Sequence, residues 1–93
     1  MKSIIDTPEE YRLRILAEEC TELAQAALKL IRAKERDTPV SEIDARMNMI
    51  EECADVYVCI QSVLSKFQLD GMKSIADIKS ARWEQRLNNA KVL

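Results

Sequence analysis

The scarcity of turn-forming residues most constrains the fold of this chain, because its 93 residues include only one glycine and two prolines. Chains with few turns and many Ala, Leu, Ile, Glu, Lys and Arg residues are typical of long helices. A chain of this length forms one domain, and its single core is small enough that self-association is expected. The sequence therefore predicts an all-α fold. We expect a single helical domain over residues 1–93, in which oligomerisation completes a bundle of about three helices.

Capping signals and helix breakers divide the chain into three segments. Each predicted helix begins at Ser or Thr with an acidic residue three positions later, as in a capping box. The first two end where proline or glycine interrupts the pattern. The predicted helices span about residues 8–36, 42–68 and 74–89. The signals are, in chain order, Thr7-Pro8-Glu9-Glu10, Asp37-Thr38-Pro39, Ser41 with Asp44, Asp70-Gly71, and Ser74 with Asp77.

Charge and composition exclude several classes of protein. A net charge of -2 argues against a protein that binds nucleic-acid polymers. No apolar run approaches the ~20 residues that span a bilayer, so no membrane association is expected. The absence of histidine removes the commonest zinc ligand and general base. Three cysteines, Cys20, Cys53 and Cys59, occur without a CxxC motif. They predict small buried apolar residues, no disulfide framework and a reducing, cytoplasmic location.

Two acidic motifs lie within the most apolar segments of the chain. On a helical wheel Glu19 falls inside the apolar arc of the first helix, and Glu22 lies at the edge of that arc. In the second helix Glu52 and Asp55 are three residues apart and are therefore neighbours on the helix surface. None of the four has a basic residue at i+4, the usual partner of a solvated glutamate. We therefore expect the two pairs to converge.

Four converging carboxylates need a counter-charge. They repel one another, and their burial is unfavourable without a partner. A hard divalent cation removes both problems, and oxygen ligands alone indicate Mg²⁺, with Mn²⁺ as an alternative. Because Mg²⁺ commonly binds through a few carboxylates and substrate phosphates, the pattern leads to a nucleotide as substrate.

The spacing of these carboxylates resembles that of the MazG-like family of all-α nucleoside triphosphate pyrophosphohydrolases. The resemblance covers roughly residues 10–65 and is greatest to the short, single-domain members found in phages and bacterial genomes. The gap between the two motifs is slightly long for the family. The matching motifs are EExxE at Glu18-Glu19-Cys20-Thr21-Glu22 and ExxD at Glu52-Cys53-Ala54-Asp55.

The resemblance implies an activity and a set of residue roles. Family members hydrolyse an NTP or dNTP to the monophosphate and pyrophosphate, and they bind Mg²⁺ between helices of a dimer or a dimer of dimers. By that resemblance Glu19, Glu22, Glu52 and Asp55 would be metal ligands. Glu18 would orient a ligand or the attacking water, which makes all five residues catalytic. The implied mechanism is in-line attack of water on a phosphorus of the triphosphate, with two or more Mg²⁺ ions.

A triphosphate also needs positive charge from the protein. Three basic residues at i, i+3 and i+7 share one face of the third helix, and they are predicted to contact the phosphates. A lysine two turns beyond Glu22 is a weaker candidate. Trp83 and Tyr57 are predicted to be core residues rather than platforms for a base. The candidate substrate-binding residues are Lys79, Arg82 and Arg86, with Lys29 as the weaker one.

Three alternatives remain open. A related branch of the same superfamily hydrolyses phosphoribosyl-ATP. A helical interaction module or coiled-coil adaptor would use its acidic pairs in intermolecular ion pairs. A carboxylate-bridged di-iron bundle usually carries Glu-x-x-His on two helices, and the absence of histidine from this chain argues against it.

Overall fold

The protein is all-helical over the part described in a computed structural model, residues 3–90. A short 3₁₀ helix, Ile4–Asp6, is followed by α1 (Glu9–Lys34), α2 (Glu42–Val63) and α3 (Lys66–Ala90). No strand occurs within this range, so the prediction of an all-α chain with three long helices is confirmed. The chain forms two compact units, one that contains the 3₁₀ helix with α1 and α2, and one that contains α3.

Helices α1 and α2 form an antiparallel hairpin. At one end the guanidinium group of Arg12, near the start of α1, donates a hydrogen bond to the carbonyl of Ser62 at the end of α2. At the other end Lys34 Nζ lies 3.4 Å from Glu42 Oε1. The hydrogen bond satisfies one of the carbonyls that the last turn of a helix leaves free, and a cation is favoured at that position.

Small side chains fill the interface between α1 and α2. Ala26 and Ala33 of α1 and Ala45 of α2 are buried. Leu30 joins Ala33 and Ala45 in one buried cluster, against which Met49 packs. Since the distance between helix axes depends on the side chains at the contact, an alanine-rich interface brings the two backbones close together.

The first helix ends in a Schellman motif that uses arginine where glycine is preferred. Asp37 N donates to Arg32 O at 2.9 Å and Arg36 N donates to Ala33 O at 3.1 Å. Arg36 has a φ of 57°. This left-handed conformation brings Cβ close to a backbone carbonyl oxygen in every residue except glycine.

We therefore expect Arg36→Gly to stabilise the protein by about 1 kcal/mol, because the left-handed conformation costs an L-residue about 1–2 kcal/mol and glycine gives part of this back as chain entropy. Urea denaturation followed by circular dichroism measures the change. Arg36→Ala is the matched control, since it removes the same side chain but keeps Cβ, and it should not stabilise. A gain of equal size in both variants would show that the side chain, and not the backbone, is responsible.

The two predicted starts at the amino-terminal ends of α1 and α2 have different outcomes. The signal before α2 is confirmed, since Ser41 Oγ accepts a hydrogen bond from Asp44 N at 3.1 Å. The capping box at Thr7 is wrong. Thr7 Oγ1 donates back to Ile4 O, because the preceding residues form the 3₁₀ helix, and Pro8 occupies the position before the first helical residue.

The predicted boundary between the second and third helices is also wrong. Helix α2 ends at Val63 and α3 begins at Lys66. Ser65 and Gln68 form a reciprocal capping box, with Ser65 N to Gln68 Oε1 at 2.9 Å and Gln68 N to Ser65 Oγ at 3.2 Å. Two hydrogen bonds at a helix start decide the boundary here. Gly71 lies inside α3 with an ordinary negative φ, and Ser74, the predicted start, bonds back to Asp70 O at 3.3 Å.

Gly71→Ala is expected to stabilise the α3 unit by about 0.5–1 kcal/mol, because glycine is less favourable than alanine inside a helix. A Cβ at this position meets no atom within 4 Å, so no steric cost opposes the gain. The measurement is the helical content and the urea midpoint by circular dichroism. If Gly71 instead ended a helix in a left-handed conformation, Gly71→Ala would destabilise the protein. Destabilisation would therefore support a helix end at Asp70-Gly71, as predicted from the sequence.

None of the helices within residues 3–90 combines the length and the apolar character needed to cross a membrane.

Candidate metal centre

Three carboxylates meet across the α1–α2 hairpin. One oxygen from each of Glu19, Glu52 and Asp55 lies within 4.8 Å of the other two. Glu19 comes from α1, and the other two are one turn apart on α2. Glu19 and Glu52 are partly buried and Asp55 is exposed. This carboxylate cluster is therefore held between two helices and opens to solvent at Asp55.

The helical periodicity explains why two of these carboxylates point inward. Glu19 shares the inner face of α1 with Ile15 and Leu23, which are also partly buried. Glu52 lies on the inner face of α2, two turns after buried Ala45 and two turns before buried Cys59. Each glutamate thus occupies a position that the hydrophobic pattern assigns to the interface.

One oxygen of the carboxylate cluster lacks a partner. Glu52 Oε2 is buried and has no hydrogen-bond partner among the described residues. A buried carboxylate oxygen without a donor or cation is unfavourable, because it has lost water and gained nothing in exchange. The geometry therefore favours either a proton or a cation at this oxygen.

The electrostatics of the cluster agree with the geometry. Partial burial raises the pKa of Glu19 above its ordinary value, and the charges of Asp55 and Glu52 raise it further. Burial also raises the pKa of Glu52, followed by the charges of Glu22 and Asp55. Both shifts mean that the negatively charged form is disfavoured and that a cation would relieve the repulsion.

The other two predicted carboxylates lie at the edge of the cluster. Glu22 is exposed and does not belong to the set whose oxygens lie within 4.8 Å. Its charge nevertheless has the largest effect of any neighbouring charge on Glu52. Glu18 is exposed and has the smallest effect on Glu19. The structure thus brings together three of the four predicted metal ligands and places the fourth nearby.

The predicted substrate-binding residues fall in both units. Lys29 is exposed on α1 and lowers the pKa of Glu52, so its charge acts on the carboxylate cluster. Lys79 and Arg82 lie on α3, where they line a concavity with Arg86 and Trp83. Their contact with the phosphates of a bound substrate stays a prediction.

The cysteines and aromatic residues differ in part from expectation. All three thiols are free, and only Cys59 is buried, whereas burial of all three was expected. Burial raises the pKa of the Cys59 thiol, and the carboxylates of Glu19 and Asp55 raise it further. That thiol is therefore kept protonated beside the cluster. Trp83 and Tyr57 were expected in the core, but they are 59% and 60% exposed, because neither lies on a face that packs within its own unit.

One polar residue of the α1–α2 interface was missed by the sequence analysis. Arg12 is partly buried, contacts the end of α2 and has a buried Nε that finds no hydrogen-bond partner within residues 3–90. Arg12 lies two helical turns before Glu19 on the same face of α1, and this spacing is the signal that would have placed it at the interface.

Comparison of this chain with protein family models, with curated proteins and with solved structures gave no match.

Proposed function

We propose that the protein is a Mg²⁺-dependent nucleotide pyrophosphohydrolase, which converts an NTP or dNTP and water to the monophosphate and pyrophosphate. The observation that carries this proposal is the carboxylate cluster, in which Glu52 also has a buried oxygen without a hydrogen-bond partner among the described residues. The cluster favours a bound cation. The choice of a nucleotide as substrate comes from the resemblance of its sequence motifs to the MazG-like family.

The chemistry of the donor set fits Mg²⁺. The cluster offers carboxylate oxygens from two helices, and the nearby Cys59 thiol is kept protonated. Hard oxygen ligands suit Mg²⁺ or Mn²⁺ rather than softer metals. The exposed side at Asp55 leaves room for water and phosphate oxygens, which usually complete the Mg²⁺ shell.

In this proposal Glu19, Glu52 and Asp55 would hold the cation, which when bound neutralises phosphate charge and lowers the pKa of water. Glu22 has an exposed carboxylate whose charge acts on Glu52, and in this proposal it would accept the proton that the attacking water gives up. The water oxygen forms a bond to phosphorus, the bridging phosphorus–oxygen bond breaks, and pyrophosphate leaves. Lys29 offsets part of the negative charge on this side of α1.

Pyrophosphate release tests the proposal. Each NTP and dNTP, several modified nucleotides and phosphoribosyl-ATP are incubated with the protein in Mg²⁺, in Mn²⁺ and in EDTA. Turnover only with metal, lost in Glu19→Gln and in Asp55→Asn, is the expected result. Turnover of phosphoribosyl-ATP alone would select the related branch. No turnover of any substrate, with a melting temperature that Mg²⁺ does not change, would reject the proposal.

A second proposal concerns self-association as a homodimer or homotetramer. The side of α2 that faces away from α1 carries exposed apolar residues at the four- and three-residue spacing of a helix–helix contact. Such a row is unfavourable in water and is typical of an interaction surface. These residues are Ile43, Met47, Ile50 and Tyr57.

We expect light scattering coupled to size-exclusion chromatography to give a mass of two or four chains. Ile50→Lys should reduce it to one chain, because a buried lysine without a partner opposes association. Arg46→Lys, an exposed change one turn away that keeps the charge, is the control. The same apolar row favours the interaction-module alternative, which predicts association without turnover.

A further inference from the structure

Helix α3 carries a basic and aromatic face of its own. Four residues at i, i+3, i+4 and i+7 lie on one side of the helix, and together they line a concavity of about 190 Å³. The guanidinium carbon of Arg86 lies 5.4 Å from the centroid of the Trp83 ring. All four side chains are exposed. The residues of this α3 concavity are Lys79, Arg82, Trp83 and Arg86.

The positive charge of the α3 concavity is not neutralised locally. Like charges three or four residues apart destabilise a helix, and here three cations share two turns. Within residues 3–90 none of them has a carboxylate oxygen within 4.0 Å, since the ion pairs found join Lys34 and Arg46 to Glu42. At 100° per residue the acidic residues of α3 fall on the opposite face. They are Asp70, Asp77 and Glu84. The arrangement favours an anion from outside the helix.

The aromatic ring adds a second recognition element. The guanidinium group of Arg86 covers one face of the Trp83 ring. At an exposed position this cation–π contact is weak, so a ligand can displace it. Any of the nucleobases can stack on an aromatic side chain, because every base has a flat π face. A base that takes the place of the guanidinium would also free Arg86 to bind phosphate. One face thus presents a surface for a planar ring next to donors for phosphate oxygens.

We propose that the α3 concavity is a binding site for a nucleoside triphosphate, with the base stacked on Trp83 and the phosphates on Lys79, Arg82 and Arg86. The choice of a nucleotide as the ligand rests on the proposed function. The span from Lys79 to Arg86 is about 10 Å along the helix axis, which suits a compact polyphosphate. A nucleic-acid polymer would need a longer basic track, and the chain as a whole has a net charge of -2.

Tryptophan fluorescence tests this site directly, because Trp83 is the only tryptophan in the chain. The full-length protein in EDTA is titrated with ATP, CTP and inorganic tripolyphosphate. We expect saturable quenching by both nucleotides, with affinity that falls as salt is added. Arg82→Gln should weaken ATP binding at least tenfold. Lys73→Gln removes the same charge from α3 outside the concavity, and it should change the affinity less than twofold.

Calorimetry separates stacking from charge. In Trp83→Leu we expect ATP to bind at least fivefold more weakly, while tripolyphosphate binds as in the unchanged protein. Circular dichroism of each variant checks that α3 remains helical. Absence of saturable quenching, or equal weakening by Arg82→Gln and Lys73→Gln, overturns the site. Tighter binding of a single-stranded oligonucleotide than of ATP overturns the choice of ligand.

This experiment is independent of hydrolysis. Because EDTA removes divalent cations, the titration reports binding at α3 whether or not the carboxylate cluster has activity. Binding without pyrophosphate release in Mg²⁺ would support the α3 site and reject the proposed reaction. Pyrophosphate release in Mg²⁺ without nucleotide binding in EDTA would support the proposed reaction and reject the α3 site.

Discussion

We expect Glu52→Gln to lower the rate of pyrophosphate release at least about 100-fold, the largest effect of any single substitution in the hairpin. Groups that only support a metal ligand typically contribute 10–100-fold, so loss of a ligand itself should cost more. Glu52 is the residue to change because its buried Oε2 has no hydrogen-bond partner in the part of the chain that the structure describes, and an amide cannot replace a carboxylate as an anionic ligand. The measurement is the initial rate at saturating Mg²⁺ and substrate.

The same substitution should have the opposite effect on the metal-free protein. Glutamine removes a charge that Glu22 and Asp55 repel, so the melting temperature in EDTA at neutral pH should rise. Glu51→Gln is the matched control, because Glu51 is exposed and adjacent in sequence, and it should retain activity. Equal losses of activity in both variants, or a lower melting temperature for Glu52→Gln, would contradict a role for Glu52 as a ligand.

The second large effect that we expect is stabilisation of the folded protein by Mg²⁺. A ligand that binds only the folded state at a hundredfold excess over its Kd raises the melting temperature of a small protein by about 10 °C or more. The increase should become smaller as the pH is lowered from neutral toward the raised pKa values of Glu19 and Glu52, because protons and Mg²⁺ compete for the same carboxylates. Differential scanning calorimetry with and without EDTA measures it.

The pH dependence of the metal-free protein has a definite sign. The folded-state pKa values of Glu19 and Glu52 lie above the ordinary value of 4.5, so the folded state binds protons more tightly than the unfolded state. Their contribution to the free energy of unfolding is fully present below pH 4.5. It is lost as the pH rises through the raised values. From these two groups alone, stability in EDTA should fall toward neutral pH.

The double variant Glu19→Gln, Glu52→Gln isolates this contribution from that of the other carboxylates. Its stability in EDTA should depend less on pH than that of the unchanged protein above pH 4.5, and it should no longer respond to Mg²⁺. Glu51→Gln again serves as the control. Because the charge of Glu51 raises the pKa of Glu52 less than those of Glu22 and Asp55 do, its pH dependence should change less than that of the double variant. A double variant with an unchanged Mg²⁺ response would show that the cation binds elsewhere.

Much of the fold and part of the candidate site could be predicted from local patterns. The wheel placed Glu19 at the helix interface, because it lies within an apolar arc of the correct period, and the three-residue spacing placed Glu52 beside Asp55. The start of α2 at Ser41 was predicted because a capping box is a local signal. Ser65 and Gln68 form an equally local signal, but the single glycine at position 71 is a more usual helix end, so the boundary predicted from sequence is misplaced.

The exposed tryptophan and tyrosine could not be predicted in the same way. Tyr57 belongs to an exposed apolar row of α2 and Trp83 to a basic face of α3, and neither face has a partner within its own unit. A single sequence gives the composition of a face, and it does not give the surface that covers it. Glu22 illustrates a similar limit, because periodicity fixes the direction of Cβ and leaves the rotamer of a long side chain open.

The alanine-rich interface of the hairpin has a consequence for ion size. Ala26 lies two turns after Glu19, and Ala45 lies two turns before Glu52, so the carboxylates project from backbones that small side chains hold close together. The space between them is therefore set by the separation of the helix axes. Mg²⁺ requires oxygen distances of about 2.0–2.1 Å, and Ca²⁺ about 2.3–2.6 Å. In the proposed metal site, a larger side chain at either alanine is expected to increase the separation of the helices and to favour the larger of these two cations.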